Sequence, residues 1–279
     1  MRHLLNRLRH LPGFAIWGFF LGTYAWSGLW WAVPVVFADD AWAWPWALFI
    51  YVGGLGPPLA GLLMTAALEG RAGLRALWRR LVEWRRIPLR WALVALGLMP
   101  ALTVLALALA GLFGMPGVPA SETTGIDFWS GHPWSLLGLA FWLLLFGPLP
   151  EEIGWRGYAL DRLQRRWSAL GASVVLGMAW GLWHLPLFLM PGYYGGEPPD
   201  PLRFAVNVVL ASILITWIYN HTRRSVLAAV LFHFTINLCG ELAPLSADAD
   251  ILRTLLTLAV VLFVILRWGP ATLSRPARH

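Results

Sequence analysis

The sequence predicts an all-α fold: a polytopic transmembrane helical bundle of about eight spans, forming one integral membrane domain over residues 1–279. Three observations lead there. The 279 residues are 58% hydrophobic and 13% charged, with a mean hydropathy of +0.64, too little charge to clothe a water-soluble domain of this length. Apolar runs of roughly twenty residues recur along the chain, each long enough to cross a hydrocarbon core of about 30 Å at about 1.5 Å per residue. The runs are apolar all round, without period-two alternation, which argues for helices rather than an outer-membrane barrel.

Taken in order, spans are expected at 13–37, 44–68, 91–113, 134–160, 169–190, 203–220, 225–243 and 251–268. The first follows Arg2, Arg7 and Arg9 like a signal peptide. Its apolar stretch from Phe14 to Phe37 is longer than a signal h-region and has no clear small-x-small cleavage site, so it reads as an uncleaved span. Between the second and third, residues 69–90 place Leu74, Leu77, Trp78 and Leu81 on one helical face and Arg71, Arg75, Arg79 and Arg86 around the rest, as in an interfacial helix lying on anionic lipid. The fourth contains Gly147-Pro148-Leu149-Pro150, which should interrupt the helix, with Pro150 starting the resumed segment. The fourth and fifth form an antiparallel hairpin turning near Trp167, and residues 191–202 read as a Gly/Pro loop.

Charge then sorts the connections. All 21 basic residues are Arg, and 18 of them fall in the N-terminus, 69–90, 161–167, 221–224 and the C-terminal tail. The opposite loops carry only Arg203 and Arg253 but nine acids, Asp39, Asp40, Asp248 and Asp250 among them. Such alternation implies eight spans with both termini in the cytoplasm. The net charge of +7 therefore reflects membrane topology and not nucleic-acid binding. Cys239 is the only cysteine, which excludes a disulfide framework and a Cys-based zinc site.

A short list of polar groups remains inside the spans: Glu151, Glu152, Arg156, His184, His233 and Asn237. Ionisable groups at membrane depth cost a few kcal/mol each on insertion scales, so they are functional candidates by default. Both glutamates should sit in the first turn of the resumed helix, where free N–H groups favour negative charge. Glu152 and Arg156, four apart, share a face and can pair; Glu151, rotated by about 100°, is left available as a general base. His184 follows Trp180-Gly181-Leu182-Trp183, and His233 and Asn237 present an imidazole and an amide on one face. Each alone reads equally well as interhelical packing or hydrogen bonding. Glu151 and His184 lie at matching distances from the Trp167 turn, and Glu151 and His233 each about nine residues, roughly 13 Å, from the arginine-rich end. Three polar sites thus share one layer nearer the cytoplasm.

These residues resemble the CPBP family of intramembrane proteases, which includes the CAAX prenyl endopeptidases and is also called the Abi family. Glu151, Glu152 and Arg156 match its EExxxR motif, and His233 and Asn237 its HxxxN motif. His184 matches FxxxH, with Trp180 where Phe is usual, a departure expected to alter packing beside His184 more than mechanism. The resemblance covers roughly 145–240, and Gly56-Pro57-Pro58-Leu59-Ala60-Gly61 is similar to a recurrent upstream segment.

The resemblance implies a CAAX-protease-like fold and hydrolysis of a peptide bond in a membrane-associated protein or peptide, near the cytoplasmic face. It implies that Glu151 and His184 activate water, that His233 and Asn237 stabilise the oxyanion, and that Glu152 and Arg156 support them. Members are commonly labelled metalloproteases. No obligatory cofactor follows from the residues; a divalent metal such as Zn would take Glu151, His184 and His233 as ligands, although no HExxH signature is present. A proton-coupled transporter and a non-catalytic scaffold or bacteriocin-immunity protein are the alternatives, the first disfavoured by the lack of polar counterparts in the early spans. The expected partners are the lipid bilayer and the substrate, with no nucleic acid. The absence of Lys and abundance of Ala, Gly, Arg and Trp point to a GC-rich bacterial genome, hence a bacterial cytoplasmic membrane, where prenylated substrates are not expected.

Overall fold

The computed structural model describes residues 13–118, 133–195 and 198–274. Arg2, Arg7, Arg9, Glu122, Asp127, Glu197, Arg275 and Arg278, all counted in the charge alternation, lie outside them. Among the described residues the chain is helical throughout: α1 Phe14–Phe37, α2 Trp46–Gly54, α3 Gly56–Val82, α4 Leu89–Leu112, α5 Pro133–Phe146, α6 Pro148–Gly154, a π-helical turn Trp155–Leu160, α7 Asp161–Gln164, α8 Ala169–Trp183, α9 Leu185–Phe188, α10 Pro201–His221, α11 Val226–Leu242 and α12 Ala247–Trp268. Joined across their breaks, these make eight columns at the positions expected for eight spans. Six columns are long and apolar enough to cross a membrane by length and composition; α11 is shorter, and α1, at 24 residues, is not among the six. Leu21, Leu63, Val104, Phe141 and Phe263 lie on the outside of the bundle, as lipid-facing side chains must.

Three columns break beside one another in depth. Leu55 separates α2 from α3, Gly147 (φ −119°, ψ −97°) separates α5 from α6, and His184 separates α8 from α9. The resumed fourth span starts at Pro148 rather than Pro150, so Glu151 alone of the two glutamates falls in its first turn. Proline at the first helical position lacks only an N–H that would have had no partner there.

Below the breaks the helices approach closely. A Cβ on Gly154 would lie 2.4 Å from the Pro57 carbonyl oxygen, and one on Gly61 would lie 3.2 Å from the Gly154 Cα. The Gly/Pro-rich segment at 56–61 thus serves as the smooth surface against which the glutamate-bearing helix rests. Trp155, Arg156, Tyr158 and Leu160 are all fully buried, and Phe19 of α1 stacks on Tyr158 with centroids 5.2 Å apart. A π-helical turn places its side chains at an angle that a regular α-helix cannot reach, and here six successive residues, Trp155 to Leu160, all point into protein.

The arginine-rich connector departs from expectation. Residues 71–82 continue α3 beyond a kink at Gly70, whose φ of 65° and ψ of −154° suit only glycine. Leu77 is buried in the bundle while Trp78 is exposed. Arg80 donates to Asp161 at 2.8 Å, to the Tyr219 hydroxyl at 2.7 Å and to the Gly157 carbonyl at 2.6 Å. The segment is therefore a buttress against the π-helical turn and α10 as much as a lipid-facing strip. The hairpin between the fourth and fifth spans is present, with Ser168 capping α8 through the Gly171 N–H. Near this hairpin the Ala169 N–H donates to the Ala271 carbonyl at 2.8 Å and Gly13 lies against Arg166.

Candidate active site

All six singled-out residues meet in the bundle interior. Arg156 Nη1 donates to Glu152 Oε1 at 2.7 Å, the i,i+4 pairing that the spacing implies. The same oxygen accepts from His233 Nδ1 at 3.0 Å. Glu152 and Arg156 have no exposure and His233 only 4%, so α6, the π-helical turn and α11 are tied together by a dry ionic cluster. Removing one partner from such a cluster would strand a buried charge. Glu151 points another way and lies 8% exposed, lining a cavity of about 760 Å³ together with His184, His233 and Asn237. Glu151 and His233 are close enough to His184 to act on it electrostatically.

The hydrogen bonds also decide tautomers. His184 Nδ1 lies 2.8 Å from the Trp180 carbonyl, which can only accept, so Nδ1 carries a proton and a neutral His184 leaves Nε2 as an acceptor. His233 Nδ1 likewise donates to Glu152, leaving its Nε2 for the cavity. Asn237 lies with its amide nitrogen 3.1 Å from where a Gly147 Cβ would stand. Glycine at the helix break thereby leaves room for that amide beside the glutamate helix.

Glu151 is less free than the spacing implies. Trp180 Nε1 donates to its Oε2 at 2.6 Å, so Trp180 contacts the carboxylate itself instead of merely packing beside His184. A buried indole carries an N–H that needs a partner, and that requirement, four residues before His184, was the available signal.

The groups expected as metal ligands line one cavity, yet among the described residues no three His, Cys, Asp or Glu side chains stand together as a metal-holding group. As placed, Glu151, His184 and His233 do not form the three-ligand set expected for a catalytic metal.

From the motif residues the cavity extends away from the arginine-rich end. It runs past Tyr51, Trp142 and Phe146 toward Tyr193, Tyr194 and Asp250. Two loops frame that end: the Ala41 N–H donates to the Pro191 carbonyl at 2.8 Å, and Trp42 stacks on Tyr193 at 5.3 Å while its Nε1 donates to the Tyr193 carbonyl at 2.8 Å. Asp250 there accepts from Arg203 at 2.8 Å and from Arg253 at 2.6 Å, the two arginines that break the charge pattern. Burial pushes the Tyr193 and Tyr194 phenols well above their ordinary range, so both stay neutral hydrogen-bonding groups.

Comparison with known proteins agrees with this geometry. Residues 133–239 match the family model described as Type II CAAX prenyl endopeptidase Rce1-like, an interval that contains all six residues of the cluster. Along nearly its full length the chain is also similar to CAAX prenyl protease 2 of Methanococcus maripaludis, with 28% identity over 270 residues, 93% of this chain and 96% of that protein. The polar layer, the broken helices around it and both similarities converge: over residues 133–239 the chain is similar to the Rce1-like CAAX prenyl endopeptidases, and it is an integral membrane protease.

Proposed function

We propose that the protease hydrolyses a peptide bond of a membrane-associated protein or peptide by direct activation of water between Glu151 and His184. The observation that carries this reading is that a carboxylate, two imidazoles and an amide from α6, the α8–α9 break and α11 line one cavity. Water can donate one hydrogen to Glu151 Oε1 and the other to His184 Nε2, both acceptors, which leaves an oxygen lone pair for the scissile carbonyl. Glu151 takes the proton as the bond forms and delivers it to the leaving amine, general base then general acid. The oxyanion that develops meets the Asn237 amide and His233 Nε2–H.

Charge alternation favours the arginine-rich end as cytoplasmic, and composition favours a bacterial cytoplasmic membrane. His233 lies seven residues into α11, about 10 Å from that end, so cleavage falls in the inner half of the bilayer. The cavity extends the other way, so the substrate segment reaches the site from the acid-bearing end. In a Cys239→Ala background, Tyr194→Cys should then react with an impermeant maleimide added outside intact cells; labelling only after permeabilisation reverses the orientation.

The central experiment is cleavage of a quenched-peptide library by purified protein, with metal content measured on the same sample. Glu151→Ala should lower turnover by about 10²–10⁴-fold without loss of fold. Asn237→Ala should lower it by about 10²–10³-fold. Equal activity in wild type and Glu151→Ala would sink the mechanism, and activity that tracks a bound metal and disappears with chelator would replace it.

A further inference from the structure

Where the resembled motif has Phe, this chain has a side chain with a hydrogen to give, and the structure spends that hydrogen on Glu151. Trp180 is 4% exposed and touches four of the six clustered residues. Its Nε1–H donates to Glu151 Oε2 at 2.6 Å, and its carbonyl accepts from His184 Nδ1 at 2.8 Å. Its ring meets His233 edge-on with centroids 4.9 Å apart, and the Arg156 guanidinium lies over it 4.8 Å from the centroid. A Phe at 180 would keep the carbonyl and a face for the cation. It would lose only the donor.

We propose that Trp180 is a positioning residue: its indole N–H holds the Glu151 carboxylate in one orientation, with Oε1 directed at the reacting water. The proposal rests on the function assigned above to Glu151. The physical need for such an anchor comes from the neighbouring cation. Arg156 feels the Glu151 charge, and its Nε and Nη2 have no hydrogen-bond partner among the described residues. A glutamate side chain has three rotatable bonds, and a carboxylate released in a nearly dry site turns toward the strongest donor within reach. Turned onto Arg156, it would be drawn away from the water that it must deprotonate. The indole opposes that collapse twice, by occupying Oε2 and by covering the guanidinium with its ring. A bond that only orients the reacting carboxylate acts on the chemical step, so its loss should fall on turnover more than on binding.

The test separates the hydrogen from the ring. Trp180→Phe is the simple variant. Replacement of Trp180 by 3-benzothienylalanine keeps the two-ring outline and puts sulfur where the N–H was. Both should lower kcat at least about tenfold, as loss of a hydrogen bond to a charged group does, with KM within about twofold of wild type. If the benzothienyl protein turns over like wild type, packing alone explains Trp180 and the proposal is overturned. A readout without substrate keeps this independent of the peptidase reading. In 15N-tryptophan-labelled protein the indole signal missing from Trp180→Phe should lie downfield of the other indoles and move in Glu151→Gln. An indole signal indifferent to Glu151→Gln overturns the bond, whatever the cleavage assay shows. Conversely, a displaced signal with no cleavage by wild type keeps the bond and removes the function assigned to Glu151.

Discussion

The halves of this bundle on either side of the helix breaks are built on opposite principles. Toward the arginine-rich end, Gly61 and Gly154 let backbones touch, Trp155 and Tyr158 fill the interior, and Arg80 clamps Asp161, Tyr219 and the Gly157 carbonyl. Toward the other end, α2 and α5 meet through the rings of Tyr51, Trp142 and Phe146, with Trp42 of the preceding loop against them, and a cavity of about 760 Å³ runs between the columns. Close packing and paired charges cannot move without large cost, whereas aromatic contacts across a seam can be remade. The chemistry sits at the boundary. Glu152, Arg156 and their partners belong to the rigid half, while Glu151, His184 and Asn237 face the open one. Rigidity below and access above is what a hydrolase needs when its substrate must enter a protein interior.

The comparison makes unequal demands on stability. Arg156→Met should be the most damaging change, because it strips the buried Glu152 carboxylate of its ion pair at a cost of about 3–5 kcal/mol. A large fall in the melting temperature in detergent checks this; a variant as stable as wild type would mean that the cluster is not the anchor of the lower half. Gly154→Ala comes next, at about 1–3 kcal/mol, since its new methyl group would overlap the Pro57 carbonyl and force the fourth column off α3. Because that shift displaces Glu151, turnover should fall along with stability, which joint thermal and kinetic measurement would show. Trp142→Phe, in the open half, removes one hydrogen bond to Tyr51 (3.1 Å) and should cost no more than about 0.5–1.5 kcal/mol. Should it rival Arg156→Met, the two halves are equally rigid and the contrast fails.

Much of the site was legible because lipid makes intramembrane polarity conspicuous. Six polar side chains in otherwise apolar spans could be singled out by type and depth, and the Glu152–Arg156 pairing followed from a spacing of four. His233 on Glu152 was not legible, since the two residues are 81 positions apart and no local period reports the approach of α11 to α6. Nor was the donor role of Trp180: a tryptophan among apolar residues reads as bulk until its N–H is seen to point at a carboxylate. Residues 71–82 misled for a related reason. Their amphipathic pattern suits a membrane surface and a bundle flank equally, and the bonds of Arg80 to Asp161 and Tyr219 add the second, which the pattern alone did not single out.

By itself the sequence determined that this is a membrane protein, its all-helical secondary structure, most helix positions and the identity of the polar groups inside the helices. These are set by hydropathy, helical period and charge, which act over one or two turns of chain. Tertiary structure alone decided which faces converge, that Glu151 is bound to an indole, and toward which end the cavity extends. Those outcomes depend on how helices distant in sequence rotate against one another. That rotation is set by contacts as small as a missing methyl group at Gly154, which no pattern within a single helix encodes.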